Sequence, residues 1–390
     1  MDESAGRVDR IVRRIARTGM ASWLFDDVGP PSVTDRRESS IDDSDWSAVL
    51  QRCSRNRIVG LLATAIEQGD IDVTAEQHNE VIRRHRDQLA KCLVIERHLI
   101  RTVTLLEDAG IELRALKGPA VAHLDFADPS MRTFTDVDVL VHPSQLDAAV
   151  RVLHNCGLER RFREVRPGFD ARFSKGIEFF NGVDPEIDLH RTFVMGPYGL
   201  RIDLDDLWST SEPFRLGGRE LYALDRDIRF LHACYHVALG GRDPRLAQLR
   251  DIAQLLGSCE HPVNVDRCFD LVRSWHAEAV VARAVVLAWD RLELAPTDLS
   301  RWATSHEPTR RDVRDLRSYL DPEMGYAARC LTAIAAIPGW RDKSSFARGL
   351  AFPSREYGAG SHAGHRQRWA KVARDLRRVA AAPKDERGHT

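Results

Sequence analysis

Two aspartates separated by one residue are the strongest sign of chemistry in this chain. Residues 133–141 read TFTDVDVLV. Alternate side chains of a β-strand point to opposite faces, so the valines face a core while Asp136 and Asp138 point together to the other side. Two neighbouring carboxylates repel each other unless a cation lies between them. Carboxylate oxygens are the ligands that Mg²⁺ and Mn²⁺ prefer, so the pattern predicts a divalent-metal site.

A third carboxylate is predicted from a later strand. Residues 186–190 read EIDLH, with Ile187 and Leu189 on the apolar face. Asp188 and His190 then share the opposite face. If this strand lies beside the first, Asp188 completes a three-carboxylate site for two metal ions. Such a site stabilises the attacking and leaving oxygens of phosphoryl transfer.

A candidate phosphate site precedes these carboxylates. Residues 111–116 predict a short strand, Lys117-Gly118-Pro119 interrupts it, and residues 120–126 predict one or two helical turns. Proline suits the first position of a helix, where its missing N–H is not needed. Free N–H groups and the positive dipole end of a helix attract phosphate, and Lys117 would add its charge there.

Taken together, these motifs resemble the nucleotidyltransferase superfamily. The carriers of the resemblance are Lys117-Gly118 after a strand, Arg132 ahead of D-x-D, and the later I-D-L-H strand. The chain is most similar to the bacterial group called "uncharacterised nucleotidyltransferase", over roughly residues 45–260, and more distantly to AbiEii-type toxins. Pro119 stands where the wider superfamily usually has serine, a departure that concerns how the β- and γ-phosphates are held.

The resemblance implies an enzyme that moves a nucleoside monophosphate from an NTP, such as ATP, to an acceptor hydroxyl or phosphate and releases pyrophosphate. The acceptor classes that fit are a small molecule, a peptide, a protein or a tRNA. A non-catalytic nucleotide-binding or scaffolding protein that retains the fold is the alternative. The residues expected to hold Mg²⁺ (or Mn²⁺) and catalyse are Asp136, Asp138 and Asp188, and those expected near the nucleotide are Lys117, Gly118, Arg132 and His190.

Composition limits the other possibilities. The 390 residues carry a net charge of −1, with 43% hydrophobic and 29% charged residues, so no global field favours nucleic acid or membrane. No stretch approaches the ~20 apolar residues of a membrane span, and we do not expect the acidic N-terminus to act as a signal peptide. Seven scattered cysteines without a C-x-x-C motif indicate reduced thiols. We therefore expect a cytoplasmic protein without a membrane partner.

The order of elements predicts an α+β fold, in which a small mixed-sheet nucleotidyltransferase domain is flanked by helical regions. We expect an N-terminal helical region over residues 1–95, the nucleotidyltransferase domain over 96–224, and a C-terminal helical domain over 225–357. A linker and a basic terminal helix would follow over 358–390. Within these limits the patterns predict a long helix over 75–109, a helix over 145–154 capped by Ser144, a hairpin over 214–224 and one helix over 264–292.

Several residues keep two interpretations. His232 and His236 lie one helical turn apart, which suits a shared Zn²⁺, but no third ligand follows at a convincing spacing; helix packing or nucleotide contact is the other interpretation, also for Asp251. Arg172 and Lys175 belong either to a solvated edge or to a site facing the triphosphate or a polyanionic acceptor. The terminal helix, about residues 366–380, either packs against the protein or is solvated, or its basic residues bind RNA.

Overall fold

The strands form one seven-stranded mixed sheet. A computed structural model describes residues 3–25, 41–257, 262–324, 326–354 and 357, so the predicted linker and basic terminal helix lie outside the described residues. The sheet order is β3-β4-β5-β2-β1-β7-β6. The strands are β1 Leu113–Ala115, β2 Val137–Val141, β3 Glu159–Arg160, β4 Gly176–Phe180, β5 Ile187–His190, β6 Ser211–Leu216 and β7 Arg219–Leu224.

Helices precede the sheet, lie against it and follow it. The first four are α1 Glu3–Arg17, α2 Asp43–Arg55, α3 Val59–Glu67 and α4 Ala75–Asp108. Those interspersed with the strands are α5 Gly118–Asp125, α6 Leu146–Asn155, α7 Phe169–Phe173 and α8 Pro197–Arg201. Those after the sheet are α9 Arg226–Leu239, α10 Leu246–Gly257, α11 Val265–Ser274, α12 Glu278–Leu292, α13 Asp298–Ser305, α14 Arg310–Leu320, α15 Tyr326–Ala336 and α16 Trp340–Ala351.

The centre of the sheet is built by pairings of both directions. β2 pairs with β1 in antiparallel and with β5 in parallel orientation, and β1 also pairs in parallel with β7. The valines of β2 pack in a core that includes Leu99, Leu106 and Leu153 from helices α4 and α6. Leu140, on the other face of β2, belongs to a separate core. The alternation predicted for this strand is therefore confirmed.

The second core joins helices from before and after the sheet. Apolar side chains of α1 to α3 belong to one buried cluster with those of α9, α10 and α12, including Ile15, Leu61, Leu231, Leu249 and Val285. The amphipathic spacing of these helices explains the packing, since each buries one apolar stripe. The helices after the sheet therefore pack against those that precede it, across one face of the sheet.

The α+β prediction is confirmed, and helix α4 begins with a capping box in which Thr74 and Gln77 satisfy each other's backbone N–H groups. Two local predictions are wrong. Ser144 does not cap a helix, because the His142 ring accepts a hydrogen bond from the Ser144 N–H and closes a short 3₁₀ turn before α6. The single helix over 264–292 is divided at His276, whose φ is +52°; the turn lets the buried Trp275 donate to Asp206.

Candidate active site

The pairing of β2 with β5 places two of the predicted carboxylates side by side. In the parallel register, the Cα atom of Asp138 lies opposite that of Asp188, and Leu140 lies opposite His190. Side chains at paired positions of adjacent strands point to the same face. Asp138, Asp188 and His190 each offer a ligand atom, and these atoms lie within 4.8 Å of one another.

Each carboxylate has its own lysine, and one histidine lies between them. Lys117 Nζ lies 3.0 Å from Asp138 Oδ1, and Lys175 Nζ lies 2.5 Å from Asp188 Oδ2. His190 Nε2 lies 2.7 Å from Asp138 Oδ1 and 3.0 Å from Asp188 Oδ2. The other ring nitrogen, Nδ1, donates to the Thr192 carbonyl at 3.2 Å, which orients the imidazole. Positive groups therefore surround both carboxylates.

These contacts control the charge of the site. Burial opposes ionisation of Asp138, but Lys117 and His190 outweigh it and hold the pKa of Asp138 well below its usual range. Burial likewise opposes ionisation of Asp188, and His190 with Lys175 lowers its pKa below the usual range. For Lys117, burial is opposed by Asp138, so that its pKa is raised. Both carboxylates are thus ionised at neutral pH.

The Lys117-Gly118 turn aims the lysine at Asp138. Lys117 has φ +44° and Gly118 has φ +22°, and helix α5 begins at Gly118. A Cβ atom on Gly118 would lie 3.3 Å from the Phe134 side chain. The positive φ of Gly118 is also a backbone conformation that residues with a side chain rarely adopt. A lysine with a positive φ is uncommon, and such strain is concentrated at functional sites.

Asp136 lies just outside this cluster. The predicted strand over 133–141 begins only at Val137, so Asp136 precedes the ladder, and its side chain is exposed. It accepts a hydrogen bond from the Thr135 hydroxyl at 3.2 Å. Asp136 and Asp138 nevertheless line the same cavity.

That cavity, about 170 Å³ in volume, lies against Asp138 and is lined by cationic side chains from separate parts of the chain. We call it the cationic cavity; its lining includes Arg57, Lys117, Gly118, Arg132, Asp136, Asp138, His236, Arg245 and Gln248. Arg57 and Arg245 also line an adjoining outer cavity of about 440 Å³, together with Arg55. Neither Arg57 nor Arg245 forms an ion pair with a carboxylate of the described residues.

A single asparagine brings these two arginines together. The Asn56 side chain accepts from the N–H of Leu246 at 3.1 Å, and its carbonyl accepts from the N–H of Ala247 at 3.3 Å. Asn56 thereby caps the start of α10, which follows Arg245 directly. Burial and then the charge of Arg245 lower the pKa of Arg57. Because the two guanidinium groups repel each other, an anion between them would be stabilised.

Arg132 lines the cavity but already has a carboxylate partner. Its guanidinium donates to both oxygens of Asp251, at 3.0 and 2.7 Å, and to the Thr133 carbonyl at 2.9 Å. Both partners of this bidentate pair are buried. The pair ties the segment before β2 to helix α10, which explains the position of Asp251.

The two histidines of α9 have different surroundings. His232 is buried with its ring stacked on Phe193 at 4.5 Å between centroids, whereas His236 accepts a hydrogen bond from the Gln248 side-chain N–H at 3.0 Å and lines the cationic cavity. Neither belongs to a group of three potential metal ligands within the described part of the chain. Packing for His232 and cavity contact for His236 therefore fit better than a zinc site.

The two candidate residues of the basic segment before β5 also have different surroundings. Arg172 forms an ion pair with Asp342 of α16, away from the carboxylates, while Lys175 contacts Asp188 directly.

Arg57, Arg245 and Gln248 were not recognised from the sequence as site residues. Each lies in a turn or at a helix end without periodicity, so only their approach to Asp138 in three dimensions marks them.

The ligand set fits a divalent cation. Asp138 and Asp188 supply oxygen, and His190 supplies nitrogen through a ring whose other N–H is already donated to a carbonyl, as for many metal-bound histidines. Lys117 and Lys175 now neutralise the carboxylates at positions where an ion would do so. Asp136, at the rim, could add a further oxygen.

A family model described as "Uncharacterised nucleotidyltransferase" matches residues 42–293, from helix α2 to the end of α12. The chain belongs to this family. The matched region contains every member of the Asp138–Asp188–His190 cluster, and also Arg57 and Arg245 of the cationic cavity. The predicted family is thereby confirmed, and with it the nucleotidyltransferase fold.

Two other comparisons complete the description. A solved structure, the crystal structure of an antigenic nucleotidyltransferase-like protein from Paracoccidioides brasiliensis, has 16% sequence identity and a TM-score of 0.30; the match covers 53% of this chain and 93% of that chain. No curated protein has a sequence that matches this one. Among the described residues, no helix combines the length and apolar character needed to cross a bilayer.

Proposed function

We propose that this protein is a metal-dependent nucleotidyltransferase that moves a nucleoside monophosphate from an NTP, such as ATP, to an acceptor and releases pyrophosphate. The observation that carries the proposal is the register of β2 and β5, which pairs Asp138 with Asp188 beside the cationic cavity. Asp136, Asp138 and Asp188 would hold Mg²⁺ or Mn²⁺, with His190 as a further ligand or a neighbour that orients them. When bound, the metal would activate the acceptor and polarise the phosphate.

The cationic cavity would receive the triphosphate. Lys117 and the start of helix α5 at Gly118 lie beside Asp138, as phosphate binding requires. Arg57 and Arg245 are the charged groups best placed for the β- and γ-phosphates, because neither has a carboxylate partner among the described residues. Arg132 contributes positive charge while Asp251 holds its guanidinium in place.

The transfer forms a bond from the acceptor oxygen to the α-phosphorus and breaks the bond from that phosphorus to pyrophosphate. Asp188 would accept a hydrogen bond from the acceptor hydroxyl and orient it. Because His190 and Lys175 lower its pKa against the effect of burial, Asp188 becomes an effective base only when Lys175 moves away from it. The proton of the hydroxyl would then pass to Asp188 and on to solvent.

A non-catalytic nucleotide-binding protein is the second candidate, and one observation favours it. Lys117 and Lys175 already neutralise both carboxylates, so the cluster is stable without a metal ion. The domain limits at residues 95, 224 and 357, the bacterial origin and the similarity to AbiEii-type toxins stay predictions. A cytoplasmic location is also part of the proposal, supported by free thiols at all six described cysteines.

Nucleotide binding and transfer separate the two candidates. Each NTP, labelled on the α-phosphate, is titrated into the protein with Mg²⁺, with Mn²⁺ and with neither, and then incubated with cell extract. We expect metal-dependent binding that Asp138→Asn abolishes, and label that enters one acceptor class with release of pyrophosphate. Metal-dependent binding without any transfer would favour the non-catalytic protein. Metal-independent binding, unchanged in Asp138→Asn, would overturn the proposed site.

A further inference from the structure

A second cavity opens on the other side of the carboxylate pair. It has a volume of about 590 Å³ and lies between β4, helix α7 and the helices α14 to α16. Asp188 and Lys175 lie in its wall, whereas Asp138 lines the cationic cavity. We call it the apolar cavity, because most of its lining is carbon, including Phe169, Phe173, Met195, Leu200, Ala333 and Phe346.

The charged groups of the apolar cavity already have partners. Arg160 is paired with Asp170, Lys175 with Asp188, and Arg329 donates to the Asp321 carbonyl at 3.4 Å. Arg163 also has an interaction partner. A nucleic-acid strand is held mainly by cations that contact its phosphates. Within the described part of the chain, every Arg and Lys of the apolar cavity has an interaction partner, so its chemistry differs from that of a tRNA-binding groove.

The dimensions of the apolar cavity match a compact molecule. Pockets for drug-sized ligands occupy roughly 300–1,000 Å³ and combine apolar walls with a few polar groups. Here one of the polar groups in the wall is the carboxylate of Asp188, which also contacts His190 in the cluster shared with Asp138. A ligand in this cavity would therefore present its polar end to the place where the α-phosphate must lie.

We infer that the apolar cavity binds the acceptor, and that the acceptor is a small molecule with a largely apolar or aromatic body and a hydroxyl directed at Asp188. This inference rests on the proposed function. The acceptor oxygen would form the bond to the α-phosphorus as the bond to pyrophosphate breaks, with its proton passing to Asp188. The nucleotide would occupy the cationic cavity at the same time.

Simultaneous binding of two probes tests this arrangement. The full-length protein is titrated with the fluorescent apolar probe anilinonaphthalenesulfonate, with and without Mn²⁺ and a non-hydrolysable ATP analogue. We expect the analogue to bind and the probe to bind alongside it. Ala333→Leu, which narrows the apolar cavity, and Met195→Asp, which places a charge at a residue 62% exposed at its mouth, should each weaken probe binding about tenfold and leave analogue binding unchanged.

Leu331→Glu is the matched control, since Leu331 lies on the same helix as Ala333, is 49% exposed and does not line the cavity. It should change neither affinity. Displacement of the probe by the analogue would overturn the inference, because the nucleotide would then occupy the apolar cavity. Probe binding that Ala333→Leu and Met195→Asp leave unchanged would overturn it as well. If the analogue fails to bind with any metal, the proposed function itself is wrong.

Discussion

The two sides of the Asp138–Asp188 pair differ sharply in charge. On the Asp138 side, Arg57 and Arg245 approach each other without a carboxylate partner among the residues described. On the Asp188 side, a cavity more than three times as large is walled by aromatic and aliphatic carbon, and its charged groups are already engaged. Opposed unpaired cations are costly unless an anion binds between them, so the first side is suited to phosphates.

The difference gives two adjacent, nearly equivalent carboxylates different tasks. Both are ionised, both contact His190, and each has one lysine partner. What separates them is the cavity that each one faces. Nucleotide binding should therefore depend on residues of the Asp138 side, and acceptor binding and transfer on those of the Asp188 side.

Asp188→Asn tests most directly whether the two carboxylates have different roles. The amide keeps the shape but loses the charge that orients the hydroxyl and receives its proton, so transfer should fall about 10³-fold. Binding of the labelled NTP should weaken far less than transfer, because Asp136 and Asp138 still line the cationic cavity and can hold an ion there. The measurement is label transfer to the acceptor found in extract, alongside a binding titration. Asp138→Asn is the contrasting variant and should lose both; equal behaviour of the two variants would contradict the assignment of separate sides.

Asp251→Asn tests whether the ion pair of Arg132 stabilises the fold; Arg57 and Arg245 of the same cavity have no carboxylate partner among the described residues. Loss of the carboxylate leaves a buried guanidinium without its bidentate partner, so the free energy of unfolding should fall by about 3 kcal/mol. Urea unfolding measures this change. The double variant Arg132→Met/Asp251→Leu removes both charges and should recover most of the loss. A single variant as stable as the parent would show that the pair has no structural role.

Arg57→Gln tests whether the cationic cavity binds the phosphates of the NTP. Removing one charged hydrogen-bond donor to a phosphate should weaken metal-dependent NTP binding about tenfold and make it less sensitive to salt. Arg245→Gln should behave alike. Arg55→Gln is the matched control, because Arg55 is exposed and lines only the outer cavity. An effect of Arg55→Gln as large as that of Arg57→Gln would indicate a general field instead of a defined phosphate contact.

The smallest expected effect concerns the pH dependence of stability. Burial, and then the charge of Lys117, lowers the pKa of His236 to about 3 from its usual value of 6.5. Below pH 6.5 the unfolded chain therefore binds a proton that the folded protein does not, and stability falls as the pH falls toward 3. Above pH 6.5 this group adds no dependence.

His236→Gln should reduce that loss by about 1 kcal/mol between pH 7 and 5.5, since partial solvent contact weakens the effect. Urea unfolding of both proteins across this range measures it. A variant that loses stability with the same slope as the parent would show that His236 is charged in the folded protein or does not titrate there.

Much of the site was predictable because it lies on regular elements. The alternation of β2 and β5 placed Asp138, Asp188 and His190 away from the core valines, and Lys117-Gly118 marked the start of a helix. Predictions were weaker where tertiary contacts decide the local structure. Asp136 was expected within the strand, but the ladder begins one residue later, beyond the segment that Arg132 ties to α10.

By itself, the sequence determined the local periodicities, the helix starts and the carboxylate-bearing strands, because these depend on neighbouring residues. Only the tertiary structure decided which charges meet. Asn56 lies 190 positions from the helix start that it contacts, and Lys175 reaches Asp188 through the pairing of β4 with β5. Contacts between distant segments follow from packing of the whole chain, and no local pattern encodes them. For the same reason, the contrast between the two cavities becomes visible only in three dimensions.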